Sequence, residues 1–101
     1  MADIQYIRVV LFNSFYYPEH GAPDEFRAAI QANTFTGKTD PGRWRPDAEA
    51  ILHMESMPFP EPYGGDEENY LNWQRLQDFL IKNGMMWDSI NPAVVAIYRL
   101  K

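Results

Sequence analysis

The chain has 101 residues, 46% of them hydrophobic, which predicts one folded domain and excludes general disorder. Fourteen acidic residues against nine lysines and arginines give a net charge of −5, which argues against nonspecific binding to nucleic acid or to an anionic membrane. The lack of cysteine excludes disulfides, thiolate catalysis and thiolate metal sites.

The first residues do not match a secretory leader. Asp3 precedes the apolar run and Arg8 interrupts it, whereas a leader has a basic start and an unbroken apolar core. No apolar stretch reaches the roughly 20 residues that a transmembrane helix needs. These features predict a soluble, cytoplasmic protein that does not bind membranes.

The first predicted element is a strand over residues 4–12. β-branched and aromatic residues are dense there, and both alternating faces carry apolar side chains. Such a strand is central in its sheet, or its second face is covered by a loop or by another subunit. The aromatic residues 13–21 are predicted as a loop.

A helix is predicted to begin at Pro23 and to finish before Gly37. Proline suits the first helical position, and Asp24 and Glu25 suit the positive end of the helix dipole. Turn-forming residues then dominate T-G-K-T-D-P-G-R-W-R-P (36–46), which predicts a long loop. One short further strand fits within residues 34–44.

Residues 47–57 are ambiguous between a strand and a helix. Propensity favours a helix, but small or apolar residues alternate along A-E-A-I-L-H-M-E-S, and on a helical wheel they scatter. We therefore predict a strand, on which His53 and Glu55 share one face about 6.5 Å apart.

The remaining elements are a proline-rich arm, a helix and a last strand. The arm, M-P-F-P-E-P-Y-G-G (57–65), is predicted as extended and exposed. Asp66 caps the helix, an apolar stripe from Tyr70 to Leu80 follows, and Gly84 lies just past its end. Residues 93–100 form the final strand.

These elements predict a single α+β domain over residues 1–101. We expect a small sheet of three or four strands with two helices on one face, a ferredoxin-like sandwich. Connections made through helices favour at least one parallel pair of strands.

Two motifs suggest chemistry without adequate context. A-N-T-F-T-G-K-T (32–39) fits a relaxed phosphate-loop pattern, but it leaves a helix and enters a turn, whereas the motif must leave a strand and open a helix. His53, Glu55 and His20 could supply three zinc ligands only if the loop carrying His20 folded over the sheet. We therefore predict no metal and no cofactor.

Aromatic and basic residues in loops form the main candidate binding surface. Arg43 and Arg45 flank Trp44 in an otherwise acidic protein, and either an anion or a protein partner would suit that cluster. Tyrosine and tryptophan are enriched in protein interfaces. The predicted partner-binding residues are Tyr16, Tyr17, Arg43, Trp44, Arg45, Phe59, Tyr63 and Trp87.

The sequence favours a small non-enzymatic interaction module, of inhibitor or adaptor type. It would bind a protein partner or its own copy as a homo-oligomer. The alternative is a dimeric α+β sandwich that binds a small ligand, or acts as an enzyme, in an apolar cavity. Its polar groups would be Arg8, His53, Glu55 and Arg99.

Overall fold

The computed structural model describes residues 3–101. It is an α+β fold in which three helices accompany a four-stranded antiparallel sheet. In chain order the elements are α1 (Ile4–Phe15), a 3₁₀ turn (Pro18–His20), α2 (Pro23–Ala32), β1 (Thr34–Phe35), β2 (Ala50–His53), a second 3₁₀ turn (Met54–Ser56), α3 (Glu67–Lys82), β3 (Met85–Asn91) and β4 (Val94–Arg99).

The strand predicted over residues 4–12 is wrong, because this segment lies in helix α1. The Asp3 carboxylate accepts a hydrogen bond of 2.9 Å from the Tyr6 amide and caps the helix. Ile7, Leu11 and Phe15 follow at a spacing of four residues and are almost fully buried. Burial of this stripe outweighs the weak preference of β-branched residues for strands.

The other two helices confirm the predictions. Helix α2 begins at Pro23 and ends at Ala32, before Gly37. Asp66 caps α3 by accepting a hydrogen bond from the Asn69 amide. Gly84 follows the end of α3 with φ +72°, a conformation that favours glycine.

Residues 47–57 are a strand only in part. Strand β2 covers Ala50–His53, and a 3₁₀ turn follows it. The short further strand expected before it is the two-residue β1. The last predicted strand is β4. Strand β3 had not been predicted; Pro92 sits in its tight turn to β4, and the pairing carries an irregularity between Ser89 and Asn91.

The sheet order is β1-β2-β4-β3, and every neighbouring pair is antiparallel. Helix α3 connects β2 to β3, and these two strands run in the same direction, but β4 lies between them. The predicted parallel pair is therefore wrong for residues 3–101, and the ferredoxin-like arrangement is not confirmed.

The main core fills the space between the helices and the inner face of the sheet. Phe15 stacks on Phe59 with ring centroids 4.0 Å apart, and both rings contact Trp73. The outer face carries a smaller cluster of Ile51, Ala96 and their neighbours, and the loop of residues 36–49 supplies Ala48 to it. None of the helices within residues 3–101 has the length and apolar character needed to cross a bilayer.

Candidate functional site

The loop between β1 and β2 presents the predicted basic and aromatic cluster. We call residues 40–45 the tryptophan loop. It belongs to the longer connection 36–49, whose base is closed by a hydrogen bond of 3.0 Å from the Gly37 amide to the Ala48 carbonyl oxygen. Gly37 has no room for a side chain, because the carbonyl oxygens of Arg45, Pro46 and Ala48 surround it. The connection is thus a folded unit packed against the sheet.

Asp40 holds the tryptophan loop in place. Its side chain is fully buried, and its carboxylate accepts hydrogen bonds of 3.0 Å from the Gly42 amide and 2.7 Å from the Trp44 amide. A third hydrogen bond, 2.5 Å long, joins it to Nε2 of His53 on β2. The carboxylate therefore ties the loop to itself and to the sheet.

The environment of Asp40 stabilises its charged form. Burial raises the pKa of the Asp40 carboxyl, but the hydrogen bonds from the Trp44 amide, His53 and the Gly42 amide outweigh that effect, so the pKa is lowered. Asp40 consequently stays ionised at neutral pH and keeps all three contacts.

His53 and Glu55 do not form a site together. His53 ends β2, where its ring lies edge-on to Phe35 with centroids 5.3 Å apart. Glu55 lies in the following 3₁₀ turn and is exposed, and His20 lies beside Tyr17. Among residues 3–101, no three potential ligand side chains are grouped so that they could hold a metal ion. The partner of His53 is Asp40, which the sequence reasoning had missed.

The signal for Asp40 was present in the sequence. Asp40-Pro41-Gly42 is typical of a turn in which the aspartate side chain accepts hydrogen bonds from amides further along the chain. The structure contains that turn, closed by a hydrogen bond of 3.1 Å from the Arg43 amide to the Asp40 carbonyl oxygen. The pairing with His53 spans 13 residues, and no local pattern predicts it.

Of the three side chains predicted to form the cluster, Arg43 and Trp44 are exposed, whereas Arg45 contacts the rest of the protein. Trp44 is 46% exposed, and Arg43 is exposed with φ +50°, an uncommon conformation for a residue other than glycine. Arg45 pairs with Asp47 at 3.2 Å and lies 4.3 Å from the ring centroid of Tyr98. Arg45 therefore fastens the loop to β4, while Arg43 and Trp44 face solvent.

The other predicted partner-binding residues divide by exposure. Tyr17, Phe59 and Trp87 belong to the main core, so the arm of residues 57–65 is packed down and not exposed at Phe59. Tyr16 is partly buried, whereas Tyr63 is 80% exposed. Of the predicted binding residues, Arg43, Trp44 and Tyr63 are accessible to a partner, and Tyr16 and Arg45 are only partly accessible.

Three of the four residues proposed to serve a small ligand are engaged by other partners. Arg8 donates a hydrogen bond of 2.6 Å to the Thr34 carbonyl oxygen, and Arg99 binds Glu49 at 2.6 Å. His53 is engaged by Asp40, and Glu55 is exposed in the 3₁₀ turn that follows β2. The space between sheet and helices is filled by buried apolar side chains.

Comparisons of the chain with protein-family models, with curated proteins and with solved structures found no match.

Proposed function

We propose that this protein is a non-enzymatic interaction module, of inhibitor or adaptor type, that binds a protein partner or a second copy of itself through the tryptophan loop. The observation that carries the proposal is a half-exposed indole on a loop whose backbone is fixed by a buried carboxylate. Tryptophan and arginine supply much of the binding energy in protein interfaces, and Trp44 stands beside the exposed Arg43.

Rigidity supports a binding role for this loop. A flexible loop loses conformational entropy when it docks, at a cost of about 0.5–1.5 kcal/mol for each immobilised side chain. Asp40 and Arg45 already hold the loop in the free protein, so less entropy remains to be lost. The same carboxylate also binds His53 of β2, which ties the loop to the sheet.

Site-specific photo-crosslinking tests the proposal. A photoreactive phenylalanine analogue would replace Trp44 in one variant and Tyr70, which is 55% exposed on α3, in the matched control. In cells of the native host we expect a discrete crosslinked product from position 44 and none from position 70. Equal labelling at both positions, or none at position 44, would contradict the proposal.

The same variants identify the kind of partner. Mass spectrometry of the crosslinked product distinguishes a second copy of the chain from another protein. Light scattering over a concentration series tests the first case independently: self-association that Trp44→Ala abolishes would assign the loop to a homodimer. A third crosslinker at Tyr63 then determines whether the contact extends to the arm of residues 57–65.

A further inference from the structure

A second surface, on the other side of the molecule, combines apolar and basic residues. Helix α1 packs between α2 and α3, and its outward side carries Tyr6, which is 43% exposed, and Val9, which is 44% exposed. The Tyr6 ring contacts Phe79 of α3, with centroids 5.7 Å apart. We call this the helix-layer surface, formed by Tyr6, Arg8, Val9, Arg27, Arg75 and Phe79.

Two clefts flank α1 on this surface. The cleft toward α2 has a volume of about 110 Å³, and the cleft toward α3 has a volume of about 210 Å³. Arg8 and Arg27 line the first and Arg75 lines the second, while the other lining residues are apolar or uncharged. Among the described residues 3–101, no acidic side chain lines either cleft, although the chain has fourteen acidic residues.

The arginines of this surface lack acidic partners. Within residues 3–101, no carboxylate lies within 4.0 Å of Arg8, Arg27 or Arg75. Arg45 and Arg99, associated with the sheet, each pair with one. The acid nearest to Arg75 along its own helix is Asp78, and the two side chains form no ion pair.

The guanidinium groups of the α2-side cleft are nonetheless held in position. Arg27 lies over the Phe12 ring at 4.0 Å from its centroid, and Arg8 is tethered to the Thr34 carbonyl oxygen. Positioned guanidinium groups bind carboxylates with two parallel hydrogen bonds, and little side-chain entropy is lost when they do so.

We propose that the helix-layer surface docks an acidic amphipathic helix of a partner protein. Its apolar side would lie along Tyr6 and Val9, and its glutamates or aspartates would meet Arg27 and Arg75. Charge complementarity favours this occupant, because three arginines without a carboxylate partner among residues 3–101 are concentrated here in a protein of net charge −5. The same net charge opposes extended polyanions such as nucleic acid.

The proposal is independent of the tryptophan loop, which covers the opposite face of the sheet. Two separate binding surfaces would make the protein an adaptor. Each surface can be disabled without touching the other, so failure of one proposal does not imply failure of the other.

Nuclear magnetic resonance titration with a synthetic peptide tests the inference. The probe is a helical peptide of about 15 residues with leucines on one side and glutamates elsewhere, and the control peptide replaces glutamate with lysine. We expect saturable amide shifts along α1 and the adjoining sides of α2 and α3, with the acidic peptide only. No saturable shift up to about 1 mM, or equal binding of both peptides, would overturn the proposal.

Two charge-matched double variants assign the binding to this surface. Arg27→Glu with Arg75→Glu should weaken binding of the acidic peptide about tenfold or more, and should restore binding of the lysine peptide. Lys38→Glu with Arg43→Glu changes the net charge equally, within the connection of residues 36–49, and should have less than about a twofold effect. If the second double variant weakened binding and the first did not, the peptide would bind at the tryptophan loop, and the inference would be overturned.

A milder pair guards against misfolding. If Arg27→Glu with Arg75→Glu unfolds the protein, Arg27→Gln with Arg75→Gln removes the charges without reversing them, and the same loss of binding is expected. A short DNA duplex and phosphatidylserine vesicles are tested in parallel. Binding of either that these arginines control would assign the surface to a polyanion and overturn the protein partner.

Discussion

The two faces of strand β2 are both buried, but by different means. Leu52 and Ile51 are neighbours in β2, and neither is exposed. Leu52 points into the large aromatic core beneath the helices, whereas Ile51 belongs to a small aliphatic cluster under the connection of residues 36–49. Apolar packing buries the inner face. On the outer face, polar contacts hold the connection of residues 36–49, which we call the cover.

The two faces therefore have different roles: one stabilises the fold, and the other carries the exposed tryptophan loop. The inner core fixes the fold and offers no accessible group. The outer cover buries few apolar side chains, and it depends on Asp40, on Arg45 over Tyr98 and on the pair of Glu49 with Arg99. Changes to these contacts should therefore alter the tryptophan loop before they unfold the domain.

Truncation of the two neighbouring residues should have the largest effects and directly tests the comparison. We expect Leu52→Ala to lower the free energy of unfolding by about 4 kcal/mol, because the rigid core cannot close the cavity. Ile51→Ala should cost about 2 kcal/mol, because the overlying connection can settle into the space. Urea denaturation measures both, and equal losses would show that the two faces are packed alike.

Removal of the Asp40 charge should release the cover. Asp40→Asn leaves one acceptor oxygen for three donors, and hydrogen bonds to charged groups contribute about 1.5–3 kcal/mol, so we expect a loss of about 2 kcal/mol. Amide hydrogen exchange should accelerate in residues 40–48 and remain slow in α3.

The exposed Asp47 provides the matched control for that substitution. Its side chain is 71% exposed, so Asp47→Asn removes the same charge from the same connection without disturbing a buried group. We expect no measurable loss of unfolding free energy, because water screens an exposed charge. If both substitutions loosen residues 40–48 equally, the cover depends on overall charge and not on the Asp40 anchor.

Much of the fold followed from local patterns. Local signals are visible in the sequence because each acts within a few residues. They are the capping aspartate at the start of α3, the glycine after its end, the proline at the start of α2 and the β-branched run of β4. Helix α1 was mistaken for a strand because its outward side is also apolar, which removed the contrast that periodicity requires. The exposed Tyr6 and Val9 are thus both the cause of that error and part of the helix-layer surface.

The site was less predictable, because its contacts join residues distant in the sequence. The sequence identified Arg43, Trp44 and Arg45 as a cluster, but not the anchor between Asp40 and His53. Exposure was equally hidden: in the arm of residues 57–65, Phe59 is buried and Tyr63 is exposed, although both are aromatic residues between turn formers. Only the packing of α1 and α3 against the arm distinguishes them.

Acidification should weaken the same anchor by another route. The pKa of Asp40 is lower in the folded protein than its ordinary value of 3.8, so its contribution to stability is complete above about pH 5 and is lost as the pH falls through the folded pKa. The difference in unfolding free energy between the wild type and Asp40→Asn should therefore shrink below pH 3.8. Denaturation curves from pH 6 to about pH 2.5 measure it, and a constant difference would contradict the assigned charge state.

The smallest effect should come from the ion pair between Glu49 and Arg99. Both side chains are partly exposed, at 29% and 42%, and water screens such pairs, so Glu49→Gln should cost only about 0.5 kcal/mol. That loss should vanish in about 1 M sodium chloride, where charges are screened within roughly 3 Å, whereas the hydrogen bonds of the buried Asp40 should persist. A loss that persists in high salt would show that Glu49 is a second anchor of the cover, because salt would then have failed to screen its interaction with Arg99.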